Sequence, residues 1–511
     1  MKAQTVKDYL AVHTWVGILC GLVLYVAFYA GAFSMLEAEI TRWTQPPAPA
    51  STAVSDDGDA LAAAFLAANP DAKGRVRLLW PGADNAQPAL ALLERGKDPM
   101  WWQLGSDGQL HRMGSMPRED DTSGNFVDYL HRKGGLPIPL EVAEPIIGLV
   151  SLAYGLALAS GIVVLLPSLV KDLFYLRLGA NLKRMWLDVH NLLGVASLPF
   201  HLVIALSAAV FGLHDIVYLA QDKFIYQDGL RATVARESVP PPKVARADWL
   251  PPSEIRRRVQ EQTPHFQPLA LNYVLQPGGG ATAVVNGSDE RHFQRASRYG
   301  LAFVNLGTGE IYDRTYLPGA SGHVSTALLS SLFALHFGSF GGDTVRILYL
   351  LLGLSGALLF YTGNLLWIET RTKRARKPQD GPALERPRHV RIVSALTLGV
   401  CLGCAAALPA TLALAHWLAP RVGDLDALHQ GVYYTLFGAC IAWAIWRGTD
   451  RAAPGLLWFT AACNALVPLA AVLRPGPDGV LLGAVCALLA LFFAWLGWRQ
   501  RRQGLQGYPA A

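Results

Sequence analysis

Two histidines, His190 and His201, stand eleven residues apart on a single apolar run, Met185–Leu213. On an α-helix that is about three turns, so both rings leave the same face roughly 16 Å apart. That spacing suits two stacked haems, one ligated by each ring. A metal-binding side chain inside a membrane span is costly and by default marks a functional site.

Five further histidines belong near spans or their ends. His13 and His190 sit at one boundary, His201 near or above mid-membrane, and His131, His214, His323 and His336 near the other boundary. Haem iron accepts imidazole as an axial ligand, and two such ligands from facing helices hold a low-spin electron-transfer haem with no open position. Glycine at i+4, as in His13-x-x-x-Gly17 and His190-x-x-x-Gly194, removes a side chain that would meet the porphyrin. The candidate ligands are therefore His13, His131, His190, His201 and His336. His13 lies at the depth of His190, and His201 pairs best with His131 or His336. An internal duplication would instead pair His131 with His336 and leave His201 as the extra. Single histidines such as His214, His323, His416 and His429 read as interfacial or hydrogen-bonded residues, and His111, His265, His292 and His389 likewise as structural ones. Two haems would also divide a path of about 30 Å of hydrocarbon that one tunnelling step crosses slowly.

The elements that must position these rings are membrane helices. With 511 residues, 52% of them hydrophobic and 16% charged, the chain is too apolar for an ordinary soluble protein. Eight runs are long enough to span a bilayer: Val12–Leu36, Glu144–Leu166, Met185–Leu213, Thr344–Ile368, Ile392–Leu418, Leu428–Trp446, Leu456–Leu473 and Val480–Trp498. Lys2 and Lys7, then Lys171, Arg177, Lys183 and Arg184, then Arg371, Lys373, Arg374, Arg376 and Lys377, then Arg447 and Arg451, and finally Arg499, Arg501 and Arg502 all fall at one side. The positive-inside rule makes that side, and both termini, cytoplasmic. The first run is too long for a cleaved signal peptide, and Glu37, Glu39 and Arg42 separate it from Ala48-Pro49-Ala50. The net charge of +6 is this topological bias and no sign of nucleic-acid binding. All six cysteines lie inside apolar runs and read as small buried residues, the Cys401-x-x-Cys404 pair included.

Two polar segments on the outer side repeat one order of elements. In the first, Asp59–Ala68 reads as a helix and Arg75–Trp80, Ala89–Leu93 and Met100–Leu104 as strands, with a turn at Ser106-Asp107-Gly108. In the second, Pro252–Glu261 is the helix and Leu269–Leu275, Ala281–Val285 and Leu301–Asn305 are strands, turning through Gly278-Gly279-Gly280 and Gly307-Thr308-Gly309. The repeat extends into the membrane, since Leu130-His131 precedes the second span and Leu335-His336 the fourth. Such duplications place a functional site where the repeats meet. Neither a dinucleotide-binding Gly-x-Gly-x-x-Gly in a strand-turn-helix setting, a P-loop, a nucleophile elbow nor a His-Glu-x-x-His zinc motif is present. Electrons must come from another protein or from membrane quinol.

His13-Thr14-Trp15-Val16-Gly17 with Gly31 and Glu37, Leu130-His131, Trp186-Leu187-Asp188-Val189-His190 with Gly194, and Leu335-His336-Phe337-Gly338 before Gly363 and Trp367 resemble the PepSY-associated transmembrane family, from Met1 to about Lys377. Ser207-Ala208-Ala209 departs from its frequent Thr-Gly. The resemblance implies an α-helical integral membrane protein of about eight transmembrane helices with two small periplasmic α+β PepSY-like domains, in the bacterial inner membrane. The expected domains are helix 1 at 1–36, PepSY-like domains at 37–141 and 214–341, helices 2–3 at 142–213, helix 4 at 342–370, a basic cytoplasmic linker at 371–391 and a C-terminal four-helix bundle at 392–500. The bundle reads as a packing or docking unit, with a quinol site near His416, Trp417 and His429 as the sharper alternative.

Members of this family include haem proteins that reduce siderophore-bound iron(III). The implied activity is a di-haem b conduit that reduces a ferric siderophore, fed by quinol or a cytoplasmic reductase. Trp80, Trp101, Trp102 and Tyr312 are candidate docking contacts, although as strand residues they fit a core better. Two rival readings stand beside it. One is a haem-free, membrane-anchored PepSY module that binds peptides or a partner protein; the other is a transporter, opposed by the lack of acidic residues within the spans.

Overall fold

The computed structural model describes the chain apart from residues 1–2, 45–57, 71, 82–87, 95–98, 106, 114–121, 168–181, 227–228, 230–238, 276–280, 290, 295–299, 321–323, 376–386, 475–477 and 506–511. Lys2, Ala48-Pro49-Ala50, Ser106, Lys171, Arg177, Gly278-Gly279-Gly280, His323, Arg376 and Lys377 lie outside the described residues. The chain divides into two compact units. One comprises Met1–Pro47, Glu119–Ile216 and Ile347–Ala511, and the other Ala48–Arg118 and Val217–Arg346.

In the first unit, α1 (Ala3–Ser34) is followed after a two-residue turn by α2 (Glu37–Thr44). The helix α4 (Ser123–Lys133) opens with Thr122 accepting a hydrogen bond from Asn125 N at 3.1 Å. It stops at Gly134, whose φ of 56° is the left-handed conformation that ends helices. This stop puts His131 in the last turn. Arg132 Nε, next to it, donates to Glu144 Oε1 at 3.0 Å and ties α4 to α5 (Leu140–Leu165).

The third apolar run is not one regular helix. It breaks at Ser197 into α6 (Leu182–Ala196) and α7 (Leu198–Phe224). Pro199 has no N–H to donate to Val195, which interrupts the helical ladder. Ser197 N still bonds Leu193 O, and His201 N bonds Ser197 O, so the register of His190 and His201 survives the break. Where α7 crosses α5, a Cβ on Gly212 would lie 2.5 Å from Gly148 Cα and 2.7 Å from Glu144 O. Backbone cannot move aside as a side chain can. Gly212→Val is therefore expected to cost about 1–3 kcal/mol of overpacking, read as a lower midpoint of thermal unfolding in detergent, whereas Gly155→Ala, with open space beside it, should change nothing.

The remaining helices of this unit are α10 (Gly342–Ala375), α11 (Arg388–Leu418), α12 (Leu425–Arg447), α13 (Thr449–Leu473) and α14 (Gly479–Leu505). Seven helices among the described residues are long and apolar enough to cross a membrane: α1, α5, α7, α10, α11, α13 and α14. The eighth expected span, Leu428–Trp446, does form a helix, α12, but His429, Gln430, Tyr433 and Tyr434 dilute its apolar character. Residues 392–500 are no separate bundle either. α11 is buried along most of its length, and one core joins Leu24 and Phe33 of α1 to Cys401 and Leu408 of α11, Tyr433 of α12 and Cys486 of α14. All six cysteines are free and buried.

In the second unit the two expected modules share one sheet. The unit holds α3 (Asp59–Ala68), β1 (Gly74–Leu79), β2 (Ala89–Leu93), β3 (Met100–Leu104), β4 (Leu110–Arg112), α8 (Pro252–Gln262), β5 (Gln267–Leu275), β6 (Ala281–Ser288), β7 (Gly300–Val304), β8 (Ile311–Asp313) and α9 (Val324–Phe337). The strands form one antiparallel sheet in the order β4-β3-β2-β1-β5-β6-β7-β8. The two repeats join where β1 pairs with β5, Val76 opposite Tyr273 and Leu78 opposite Leu271. Those four residues, with Leu61 and Phe65 of α3 and Ile255 and Val259 of α8, form one core. Asp59 accepts hydrogen bonds from the Ser253 N–H and hydroxyl, linking the starts of α3 and α8. The segments 37–44 and 123–133, expected in the first module, belong to the first unit instead. Trp80 and Trp101 are core residues at 2% and 8% exposure, which removes them as docking contacts, whereas Trp102 and Tyr312 are half-buried.

Candidate functional site

His13 on α1 and His190 on α6 meet, with ring centroids 6.1 Å apart and planes at 74°. Two imidazoles that share one metal from opposite sides, each nitrogen about 2 Å from it, have centroids roughly 6 Å apart. His13 Nδ1 donates to Ala157 O at 2.8 Å. His190 Nδ1 lies 3.2 Å from both Leu359 O and Thr362 Oγ1. A carbonyl can only accept, so each Nδ1 carries a proton, and the nitrogen left to bind a metal is Nε2. This is the outer hydrogen bond that orients metal-binding histidines generally.

Each of these rings has a glycine seat. A Cβ on Gly161 would lie 3.0 Å from His13 Cε1, and one on Gly363 would lie 3.3 Å from His190 Cε1. In both, the glycine stands four residues after the accepting carbonyl, Ala157 to Gly161 and Leu359 to Gly363. A helical carbonyl points toward residue i+4, so a ring can reach it from the side only where that residue has no side chain. His131 repeats the arrangement on α1. Its Nδ1 donates to Ala27 O at 2.7 Å, and a Cβ on Gly31 would lie 2.7 Å from that nitrogen.

His201 differs. It is fully buried, at 0% exposure, and neither ring nitrogen has a hydrogen-bond partner. Phe28 lies 5.5 Å away, Phe200 5.6 Å and Tyr154 6.1 Å between centroids. Phe28 belongs to the same turn of α1 as Ala27 and Gly31, so His131 and His201 converge on one turn. His13 stands about fourteen residues, roughly 21 Å of helix, from that turn. The first unit thus brings His13 to His190 and His131 to the neighbourhood of His201. His336 lies in the other unit, half-buried on α9 with its ring 5.4 Å from Phe337.

The histidines of the C-terminal helices have other partners. His416 donates from Nδ1 to Trp43 O at 2.7 Å and stacks on the Trp43 ring at 4.1 Å. His429 Nε2 is 2.8 Å from Ser123 Oγ, and its ring stacks on Phe126. Both tie α11 and α12 to α2 and α4. Sequence reasoning missed the accepting carbonyls of Ala27, Ala157 and Leu359, the seats at Gly161 and Gly356, and the aromatic box of Phe28, Tyr154 and Phe200. A Cβ on Gly356 would come 3.1 Å from His201 Cε1.

Nothing among curated proteins matches the chain. The family model described as PepSY-associated TM region matches residues 10–370, which include every histidine of both clusters. The chain belongs to that family and is a multi-pass membrane protein.

Proposed function

We propose that this protein is a di-haem b oxidoreductase of the bacterial inner membrane that carries electrons across it and reduces ferric iron held by a siderophore on the periplasmic side. The observation that carries the reading is the histidine geometry. His13 and His190 have the centroid spacing of two ligands on one iron, and His201 is a buried imidazole with both nitrogens unsatisfied. A buried polar group without a partner costs about 1–3 kcal/mol, which a ligand for one nitrogen would offset. The residues present therefore fit haem. His13 and His190 would hold one group; His201 would hold the second, with His131, which reaches the same turn of α1.

A haem held by two histidines supplies reversible one-electron transfer with no position open to substrate. The chain's part is to hold the rings. The carbonyls of Ala157, Leu359 and Ala27 fix three imidazoles with Nδ1 protonated, and the aromatic box excludes water around the fourth. The substrate chemistry is simple: chelators with hard oxygen donors bind iron(III) far more tightly than iron(II), so one electron releases the metal. That electron comes from quinol or a cytoplasmic reductase.

The test is the visible spectrum of the detergent-purified protein before and after dithionite, with haem per chain measured as pyridine haemochrome. About two haems b per chain, with α and β bands that sharpen on reduction, are expected. A colourless protein from cells supplied with haem precursors would sink the proposal and favour a haem-free binding module.

A further inference from the structure

The box around His201 contains a second polar group with nothing to bond. Tyr154 on α5 is 3% exposed, and its hydroxyl has no hydrogen-bond partner. Its ring lies 6.1 Å from His201, 5.9 Å from Phe28 and 5.3 Å from Phe360. Phenylalanine would fill the same space without burying an unpaired oxygen. An imidazole and a phenol, both unsatisfied and otherwise surrounded by phenylalanines, point to one bound molecule that offers a metal to the first and an acceptor to the second.

On the rim of a b-type haem the hydrogen-bonding groups are two propionate carboxylates, and a hydroxyl donating to a carboxylate makes a strong, charge-assisted bond. We infer that Tyr154 is a positioning residue for the haem assigned to His201, its hydroxyl donating to a propionate. This rests on the proposed function. Among the described residues, the other titratable groups around the box are His201 itself, His190, which interacts electrostatically with it, Tyr349, whose ring is 5.3 Å from Phe200, and His131 at the adjoining turn of α1. Phe28, Phe200 and Phe360 carry no charge.

The consequence is a pH profile. A carboxylate that loses a donor ionises less readily, and an ionised carboxylate near iron favours its oxidised form. The midpoint potential therefore falls as pH rises through the carboxylate's titration. Potentiometric titration of wild type and Tyr154→Phe from about pH 5 to about pH 9 should place that fall at a proton concentration about tenfold lower in the variant, for one of the two haems. Tyr29→Phe, which removes an equally buried, unpaired hydroxyl outside the box, should match wild type. Loss of one haem from Tyr154→Phe but not from Tyr29→Phe would also support the inference. Coincident pH profiles in wild type and Tyr154→Phe, with two haems in each, would overturn it alone; a wild type without a Soret band would overturn the haem assignment and the inference together.

Discussion

His201→Leu is expected to lower haem content from about two per chain to about one, and to abolish reduction of a ferric siderophore, while leaving the haem-free protein at least as stable. As a ligand, His201 has no substitute in its box, since Phe28, Phe200 and Phe360 carry no metal-binding atom and Tyr154 is a poor ligand for a low-spin centre. As a packing element without its metal, it is a liability, because both nitrogens are buried unpaired. Leucine removes that penalty, so the haem-free variant should unfold at a higher temperature than haem-free wild type, by the equivalent of roughly 1–3 kcal/mol. Pyridine haemochrome and thermal unfolding in detergent measure the two effects separately. A variant that keeps two haems would remove His201 from the ligand set.

Gly31→Ala should have the next largest effect. The new methyl carbon would stand 2.7 Å from His131 Nδ1 and 3.0 Å from Cε1, so the ring must leave its bond to Ala27 O. Loss of the partner that orients a metal-binding histidine typically weakens metal retention 10–100-fold. If His131 is the partner of His201, one haem should wash out in a competition with apomyoglobin while the His13–His190 haem stays. Gly31→Ala with wild-type haem retention would exclude His131 as that partner. Gly438→Ala is the control for the fold, since nothing lies within 4 Å of its Cβ position.

The membrane half of the fold was legible because long apolar runs have one main use. Every run overlaps an observed helix, although α1 begins nine residues before its run and α7 ends eleven after its own, and α12 fell short because His429, Gln430, Tyr433 and Tyr434 dilute its apolar character. The Ser197 break could have been read from Pro199. The joining of the two sheets could not, because the alternation in β1 and β5 sets which face is buried but not which strand lies at the next edge. Strands of three residues, such as β4 and β8, are too short to show a period. In the site, the histidines were visible as costly residues in apolar runs, whereas their seats depend on helices more than a hundred residues away. One asymmetry was visible without being interpretable. Ala27 and Gly31 follow His13 by fourteen and eighteen residues, and at the same distances from His190 stand Ile204 and Ala208. The second half thus carries a methyl where the first half seats a histidine.

The pairing of β1 with β5 also sets a timetable for synthesis. Leu79 ends β1 and Gln267 begins β5, so about 190 residues, including two membrane helices, must be made before the partner strand exists. At about 5–20 residues per second the edge of β1 waits roughly 10–40 s with its backbone donors and acceptors uncovered. An open strand edge recruits other strands, so chaperone protection of the nascent chain matters most in that interval, and stalled translation between the second and third spans should be especially prone to aggregation.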